Sequence, residues 1–204
     1  MDKKVIITIG RQFGSGGKRI ASEIGERLGI PVYDNELLVQ AAKESGLSPE
    51  FLRKSDERRH LFGLGGLFDL GRFWHNQGNL IDDKELFRIQ SDAIRDIAAQ
   101  GSAIFVGRAS DYVLRDMETL DVFIHAPFDV RRAQVAERQG ISEHDAGELI
   151  AKKDSRRKDY YNLFTLSDNW GVASNYDLCV DSSVLGIEGT AELIIRFGRE
   201  SGRI

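Results

Sequence analysis

The feature that most constrains this chain is a glycine-rich segment between an apolar run and a helical pattern. Residues 5–9 are all β-branched, which is typical of a strand buried on both faces of a parallel sheet. Residues 10–17 are rich in glycine, and from Lys18 to Leu28 apolar residues recur at helical spacing. Glycine permits positive φ and close approach of the backbone, and the N–H groups of such a turn bind anions at the positive end of a helix. The segment therefore predicts a phosphate-binding loop after the first strand of an α/β domain.

The rest of the chain alternates between short apolar runs and helical patterns. Further strands are predicted at 31–33, 103–106, 120–125 and 176–180. Helices are predicted after Asn35, which can cap the first of them, then after Ser48, over 82–100, from Pro127, over 142–163 and over 187–197. Strands that alternate with helices favour a parallel sheet covered on both faces. We expect one α/β domain over residues 1–204, with a helical or flexible insertion at about 46–85 and a lid-like helical segment at about 142–165.

Composition excludes several classes of protein. A net charge of −4 argues against a general nucleic-acid binder, because such proteins need a basic surface. The single cysteine, Cys179, rules out a disulfide within the chain and favours a reducing compartment. No apolar run reaches the roughly 18 residues of a membrane span. We expect a cytoplasmic protein that binds neither nucleic acid nor membrane.

The glycine-rich loop departs from the phosphate-binding pattern G-x-x-x-x-G-K-[ST]. If Gly17 and Lys18 are the G-K pair, Gln12 replaces the first glycine and Arg19 replaces the hydroxyl residue. If the loop is read without gaps from the strand, Gly17 stands at the lysine position and Lys18 at the hydroxyl position. The hydroxyl that would bind Mg²⁺ is missing in both alignments, so the sequence does not identify metal ligands.

Several segments, in their order along the chain, resemble the cytidylate kinase-like family. They are Arg11–Arg19 (RQFGSGGKR), 28–34 (LGIPVYD), 105–112 (FVGRASDY), 123–127 (FIHAP), 154–161 (DSRRKDYY) and 175–177 (NYD). The resemblance covers nearly the whole chain. It implies a P-loop kinase fold, a three-layer sandwich with a helical lid and an insertion of the type that binds nucleoside monophosphates. It also implies ATP-dependent phosphoryl transfer to a nucleoside monophosphate, CMP or dCMP first, with Mg²⁺.

The resemblance implies roles for individual residues. The phosphates of ATP would be held by Gly14, Ser15, Gly16 and Gly17, with Lys18 and Arg11 neutralising their charge. The acceptor nucleotide would be bound by Asp34 and Arg108. The groups placed around the transferring phosphoryl group would be Lys18, Arg131 (or Arg132), Arg156 and Arg157.

Arginine suits this chemistry because phosphoryl transfer needs alignment and cations around the equatorial oxygens, and guanidinium binds phosphate bidentately. The segment around residues 154–159 is therefore a candidate lid, in which Asp154 and Asp159 can hold the arginines of that same helix while the site is empty. The alternative for this segment is a solvated charged helix face with i,i+4 ion pairs.

Departures from the family pattern keep other functions open. Val106 replaces an acid, Gln40 replaces a basic residue of the second helix, and His125 replaces an aspartate. One alternative is a regulatory protein that binds nucleotide or phosphate without catalysis, and another is a kinase for a different small metabolite. The apolar, glycine-broken segment 60–80 is a candidate lid or homodimer contact.

Overall fold

The computed structural model describes residues 3–44 and 80–204. In chain order the elements are β1 (Ile6–Arg11), α1 (Gly17–Leu28), β2 (Val32–Tyr33), α2 (Asn35–Glu44), α3 (Leu80–Gln100), β3 (Ala103–Val106), α4 (Ser110–Val113), β4 (Leu120–His125), α5 (Phe128–Gln139), α6 (Glu143–Thr165), a 3₁₀ turn (Ala173–Asn175), β5 (Leu178–Asp181) and α7 (Ser182–Glu200).

The five strands form one parallel sheet in the order β2-β3-β1-β4-β5. In the registers, Ile7 lies opposite Ile104 of β3 and Ile9 opposite Val122 of β4. The prediction of a five-stranded parallel sheet is confirmed. Because β1 is central and all strands run the same way, the loop after β1 lies in the middle of the edge where the strands end, where open α/β sheets bind ligands.

Helices cover both faces of the sheet, which confirms the three-layer prediction. On one face, Ile20 of α1 and Ile194 of α7 pack against Ile7 and Ile9 of β1. On the other face, Ile6 and Phe105 of the sheet pack against residues of α2, α3 and α4: Leu38, Ile94 and Val113. The continuous β-branched run is explained by this arrangement, since successive side chains of β1 enter opposite cores.

Local signals placed most elements correctly. β3 and β4 occupy the predicted residues, and α6 begins after Ser142, whose hydroxyl accepts from the N–H of Asp145 at 3.1 Å. The predicted final helix begins too late, because α7 already starts at Ser182 after Asp181, which caps it through Ser183 N–H at 2.9 Å. Gly186, with φ of 67°, interrupts α7 and obscures its period.

Much of the predicted insertion lies outside the described residues. Of the range 46–85, only the start of α3 is described, and the segment 60–79 and the helix predicted after Ser48 fall outside. In the described parts of the chain, no helix combines the length and the apolar character needed to cross a membrane.

Candidate functional site

The glycine-rich loop connects β1 to α1 through residues with positive φ. Gly14 has φ of 85° and Gly16 has φ of 75°, a region that other residues rarely adopt. α1 begins at Gly17, and Ile20 N–H donates to the carbonyl of Gly16 at 3.0 Å. The loop therefore leads directly into a helix N-terminus, the geometry that binds phosphate.

Long-range hydrogen bonds hold this loop in place. Gln12 N–H donates to the carbonyl of Ile124 in β4 at 3.0 Å. The hydroxyl of Ser15 donates to the carbonyl of Gln12 at 2.9 Å, and the hydroxyl of Ser182 donates to the carbonyl of Ser15 at 2.7 Å. β4 and α7 thus fix the loop from two sides, and the side chain of buried Ser15 serves its shape.

A buried ion pair ties the loop to the helices that follow β4. Arg131 of α5, which is 6% exposed, donates through Nη1 to the carbonyl of Phe13 at 3.0 Å and to Oδ2 of Asp154 at 2.7 Å. The other carboxylate oxygen of Asp154, on α6, accepts from Phe13 N–H at 2.6 Å. Asp154 therefore holds Arg131 of α5 instead of an arginine of its own helix, which corrects the expectation for Asp154, and Arg131 lies where it anchors the loop through Phe13.

Three arginines come together beside the loop. Arg157 of α6 donates through Nη1 to the carbonyl of Arg11 at 3.1 Å, and a Cβ at Gly107 would collide with the Arg11 guanidinium. Burial and the nearby charges of Arg157 and Arg108 lower the pKa of Arg11, and Asp34 acts in the opposite direction. Burial also lowers the pKa of Arg157. Positive charge is thus concentrated where water is partly excluded, which favours a bound anion.

Lys18 extends from the first turn of α1 to Asp34, at the end of β2. Its Nζ lies 2.6 Å from Oδ2 of Asp34, and its side chain is 68% exposed. The hydrogen bond to Asp34 raises the pKa of Lys18. Burial opposes ionisation of Asp34, but the hydrogen bonds from Lys18 and from the N–H groups of Leu37 and Glu36 hold its pKa below the ordinary value. In this structure, Lys18 is engaged by Asp34.

The prediction that Asn35 caps the second helix is wrong. Oδ1 of Asp34 accepts from the N–H groups of Glu36 at 3.0 Å and Leu37 at 3.2 Å, so Asp34 caps α2. The side chain of Asn35 instead accepts from Nε2 of Gln90 at 3.0 Å, which leaves the cap to its neighbour. A capping signal in the sequence locates such a residue only to within one position.

Arg108 lies in a strained turn after β3. Gly107, Arg108 and Ala109 have φ of 76°, 63° and 52° in succession, and the left-handed region costs about 1–2 kcal/mol for a residue with a Cβ. Nε of Arg108 donates to Oε1 of Gln90 at 2.8 Å, and its guanidinium carbon lies 3.7 Å from the ring centre of Tyr160. The turn thus carries Arg108 between α3 and α6, at the edge where the strands end.

Arg156 is half-buried on α6, beside Arg157. Burial and the charges of Arg156 and Arg157 lower the pKa of Lys153, one turn earlier. The central part of α6 therefore presents a dense group of cations.

The structure brings the predicted residues to the same edge of the sheet. Around the loop lie Arg11, Gly14, Ser15, Gly16, Gly17 and Lys18, next to Asp34 and Arg108, while α5 and α6 contribute Arg131, Arg156 and Arg157. Sequence reasoning missed Gln90 and Ser182, whose partners lie 55 and 167 residues away in the chain. A lone buried glutamine or serine carries no local signal for such contacts.

These residues fit the phosphates of ATP but do not identify a metal site. The positive-φ glycines, the helix N-terminus and Arg11 form a cradle for anions. Among the described residues, no group of three or more His, Cys, Asp or Glu side chains could hold a metal ion. Mg²⁺ in kinases is bound by substrate phosphates, waters and one or two carboxylates, so a cage of three or more side chains is not required.

Solved structures with this fold include kinases. A protein from Eubacterium ventriosum described as uncharacterized matches with a TM-score of 0.72 and 27% identity, covering 95% of this chain and 98% of its own. Shikimate kinase from Bacteroides thetaiotaomicron matches with a TM-score of 0.55 and 12% identity, covering 99% and 100%. The fold is that of the P-loop kinases, which confirms the predicted class.

Sequence relatives extend over nearly the whole chain. The cytidylate kinase of Pyrococcus horikoshii is 29% identical over 193 residues, which cover 94% of this chain and 86% of the relative. That of Methanopyrus kandleri is 28% identical over 190 residues, which cover 88% and 85%. The model of the cytidylate kinase-like family matches residues 6–184. The chain therefore belongs to the cytidylate kinase-like family.

Proposed function

We propose that this protein transfers the γ-phosphoryl group of ATP to a nucleoside monophosphate, with CMP or dCMP as the preferred acceptor. The observation that carries the proposal is the convergence of Arg11, Arg108 and Arg157 beside a glycine loop that leads into a helix N-terminus. Membership of the cytidylate kinase-like family and the P-loop kinase fold support a nucleotide kinase, and the names of the relatives favour CMP.

On the donor side, the loop residues Gly14–Lys18 hold the phosphates of ATP through backbone N–H groups. Arg11 adds a guanidinium next to this cradle, and an anion there offsets the burial and the repulsion that together lower its pKa. Lys18 exchanges its contact with Asp34 for a phosphate oxygen. ATP with Mg²⁺ supplies the phosphoryl group and neutralises part of its charge.

On the acceptor side, Arg108 binds the phosphate of the nucleoside monophosphate, and Asp34 lies at the wall of the same site. Arg156 and Arg157 of α6 close over the transferring group, where one well-placed arginine contributes about 10³-fold or more in rate. Arg131 contributes by holding Phe13, and with it the loop, against α5 and α6. A cytoplasmic location and a homodimer remain predictions that belong to this proposal.

A second candidate function is nucleotide binding without transfer. The pairing of Lys18 with Asp34, together with the start of α1 at Gly17, favours it, because the gap-free alignment leaves the lysine position of the loop occupied by glycine. A kinase for another small metabolite differs from the first proposal only in its acceptor.

The test is turnover of ATP and Mg²⁺ with CMP, dCMP, UMP, AMP and shikimate, measured by chromatographic separation of the products. We expect a diphosphate product, fastest with CMP or dCMP. Arg11→Met should lose activity by about 10²-fold or more, whereas Arg95→Met, with the same charge change on the exposed side of α3, should retain it. Transfer to no acceptor at any Mg²⁺ concentration would refute the kinase proposal, and ATP binding without transfer would favour the second candidate.

A further inference from the structure

A buried glutamine lies behind the acceptor side of the site. Gln90 of α3 is 1% exposed, so it does not reach a bound substrate. Its Oε1 accepts from Nε of Arg108 at 2.8 Å and lies 3.5 Å from the hydroxyl of Tyr160, and its Nε2 donates to Oδ1 of Asn35 at 3.0 Å. One side chain thus joins the turn after β3, the start of α2 and the helix α6.

The direction of these hydrogen bonds follows from chemistry. A guanidinium has only donors, so the group of Gln90 that faces Arg108 must be its carbonyl oxygen. The amide nitrogen of Gln90 then faces Asn35 and can only donate, so Asn35 must turn its carbonyl oxygen inward. The NH₂ group of Asn35 therefore points away from Gln90, and the order Arg108→Gln90→Asn35 cannot be reversed while Arg108 occupies its place.

Arg108, Gln90 and Asn35 form a hydrogen-bonded relay, and its outer member, Asn35, lies at the edge where substrate is expected. Asn35 is half-buried and follows Asp34, whose carboxylate contacts Lys18 of the phosphate loop. Arg108 is held in its plane by Gln90 at Nε and by the ring of Tyr160 at its face. Two donor groups, one neutral and one cationic, are thus fixed on neighbouring strand ends, β2 and β3.

We propose that Gln90 is a positioning residue for the acceptor phosphate: it orients the Arg108 guanidinium and makes Asn35 present N–H donors to the phosphate oxygens. This inference rests on the proposed kinase function and deepens it. Asn35 follows Asp34, which Lys18 contacts, and shares Gln90 with Arg108. These cations and N–H donors favour a phosphate over a base, because together they match its oxygens. Tyr160 of α6 also contacts Gln90, so Gln90 connects the acceptor side of the site to the helix that carries Arg156 and Arg157.

Two substitutions in the full chain test the relay. Gln90→Leu removes the hydrogen bonds to Arg108, Asn35 and Tyr160, and we expect the KM for CMP to rise about ten-fold or more. Asn35→Asp leaves the core intact and presents a carboxylate oxygen to the phosphate, so we expect a similar or larger rise. The KM for ATP should stay within about two-fold of the wild-type value in both variants, since the donor loop keeps its anchors.

The matched control is Ser91→Ala on the same helix. Ser91 is 4% exposed and donates to the carbonyl of Phe87 within α3, so its loss perturbs the buried helix without touching the relay. Its thermal midpoint should fall while the KM for CMP stays unchanged. UMP serves as a second acceptor, because contacts to the phosphate predict equal losses for CMP and UMP.

The outcomes separate this inference from the proposed function. Wild-type turnover with an unchanged KM for CMP in folded Gln90→Leu and Asn35→Asp would overturn the relay and leave the kinase intact. A loss for only one of the two bases would overturn the phosphate assignment. If the wild type does not turn over, calorimetric titration with CMP decides: binding that the two substitutions weaken supports the relay without the kinase, and no binding by the wild type overturns both.

Discussion

At the scale of the residue, the contact between Lys18 and Asp34 decides how the loop meets its ligand. The pair is short, at 2.6 Å, but Lys18 is largely exposed, so it contributes little to stability. The ion pair raises the pKa of Lys18, while Asp34, for which burial opposes ionisation, still has a lowered pKa because Lys18 and two N–H groups bind it. A phosphate must therefore compete with Asp34 for Lys18.

We predict opposite effects on ATP affinity when either member of the pair is removed. Lys18→Ala should weaken binding about ten-fold, because a phosphate loses a cation. Asp34→Asn should strengthen ATP binding about two- to five-fold, because an ion pair whose lysine is exposed is worth up to about 1 kcal/mol. Calorimetric titration measures the two ATP affinities. Asp96→Asn, on the exposed face of α3, is the control for net charge. Equal weakening by both variants would contradict the competition.

A second residue-scale prediction concerns pH. Asp111 lines a cavity of about 440 Å³ on the sheet face opposite α1, and the hydroxyl of Tyr161 donates to its Oδ2 at 2.6 Å. Burial raises the pKa of Asp111 to about 6, the hydrogen bond from Tyr161 opposes that rise, and the charge of Asp121 adds to it. The fold thus favours the protonated acid over the carboxylate.

Asp111 should therefore lower the stability of the protein as pH rises from about 4 to about 6, because the unfolded chain releases this proton first. The loss is up to about 3 kcal/mol and is complete above the folded pKa. Asp111→Asn keeps an acceptor for Tyr161 and cannot ionise, so its thermal midpoint relative to the wild type should be higher at pH 7.5 than at pH 4. Asp116→Asn, at an exposed site, should show the same thermal midpoint relative to the wild type at both pH values. If the midpoint of Asp111→Asn relative to the wild type were also independent of pH, the prediction would be refuted.

At the scale of the element, α6 is fastened to the phosphate loop through the carboxylate of Asp154. This carboxylate accepts from the backbone of Phe13 and from Arg131, and both side chains of the ion pair are largely buried. The helix that carries Arg156 and Arg157 is thus in direct contact with the glycine-rich loop. Nucleotide binding at the loop and the position of the helix are expected to depend on each other.

Asp154→Asn should destabilise the protein by about 3 kcal/mol, because it leaves the buried charge of Arg131 without its counterion. It should also weaken ATP binding, since the single amide oxygen cannot replace the two carboxylate oxygens that accept from Phe13 and Arg131. Urea unfolding and calorimetric titration measure the two effects. Asp159 lies on the exposed side of the same helix, and among the hydrogen bonds described its carboxylate accepts only from Ser155. Asp159→Asn should therefore change the free energy of unfolding by less than about 0.5 kcal/mol. Equal effects of the two variants would contradict the role of Asp154 in fastening α6 to the loop.

At the scale of the whole molecule, the loop is held by the strand β4 and by the helices α5, α6 and α7. β4 and α7 hold it through Gln12 and Ser15, and α5 and α6 hold it through Phe13. A ligand bound there is connected to most of the described fold and should stabilise it as a unit.

ATP at 100 times its dissociation constant should raise the free energy of unfolding by about 2.7 kcal/mol. For a chain of this length the thermal midpoint should then rise by several degrees, about 2–4 °C per kcal/mol. A thermal shift assay with and without ATP and Mg²⁺ measures the rise, and Arg11→Met should show a smaller one. A midpoint that ATP does not change would argue against nucleotide binding at the loop.

Much of the fold could be predicted from the sequence because its signals are local. A β-branched run predicts a buried strand of a parallel sheet, the glycines predict the loop, and Ser142 predicts the start of a long helix. One error came from a contact outside the segment, and the other from an interruption within it. Asn35 left the cap to Asp34 because buried Gln90 binds its side chain, and the start of α7 was missed because a glycine interrupts its period.

Some features of the candidate site follow from the sequence, and others depend on the tertiary structure. By itself, the sequence determined the glycine loop and the supply of arginines, since backbone conformation and charge belong to the residues themselves. Only the tertiary structure decided that Lys18 contacts Asp34, that Arg131 anchors Phe13, and that Gln90 joins Arg108 to Asn35. The physical reason is distance along the chain: a hydrogen bond forms between groups that folding brings within about 3 Å, and nothing near Gln90 in the sequence specifies a partner 55 residues away.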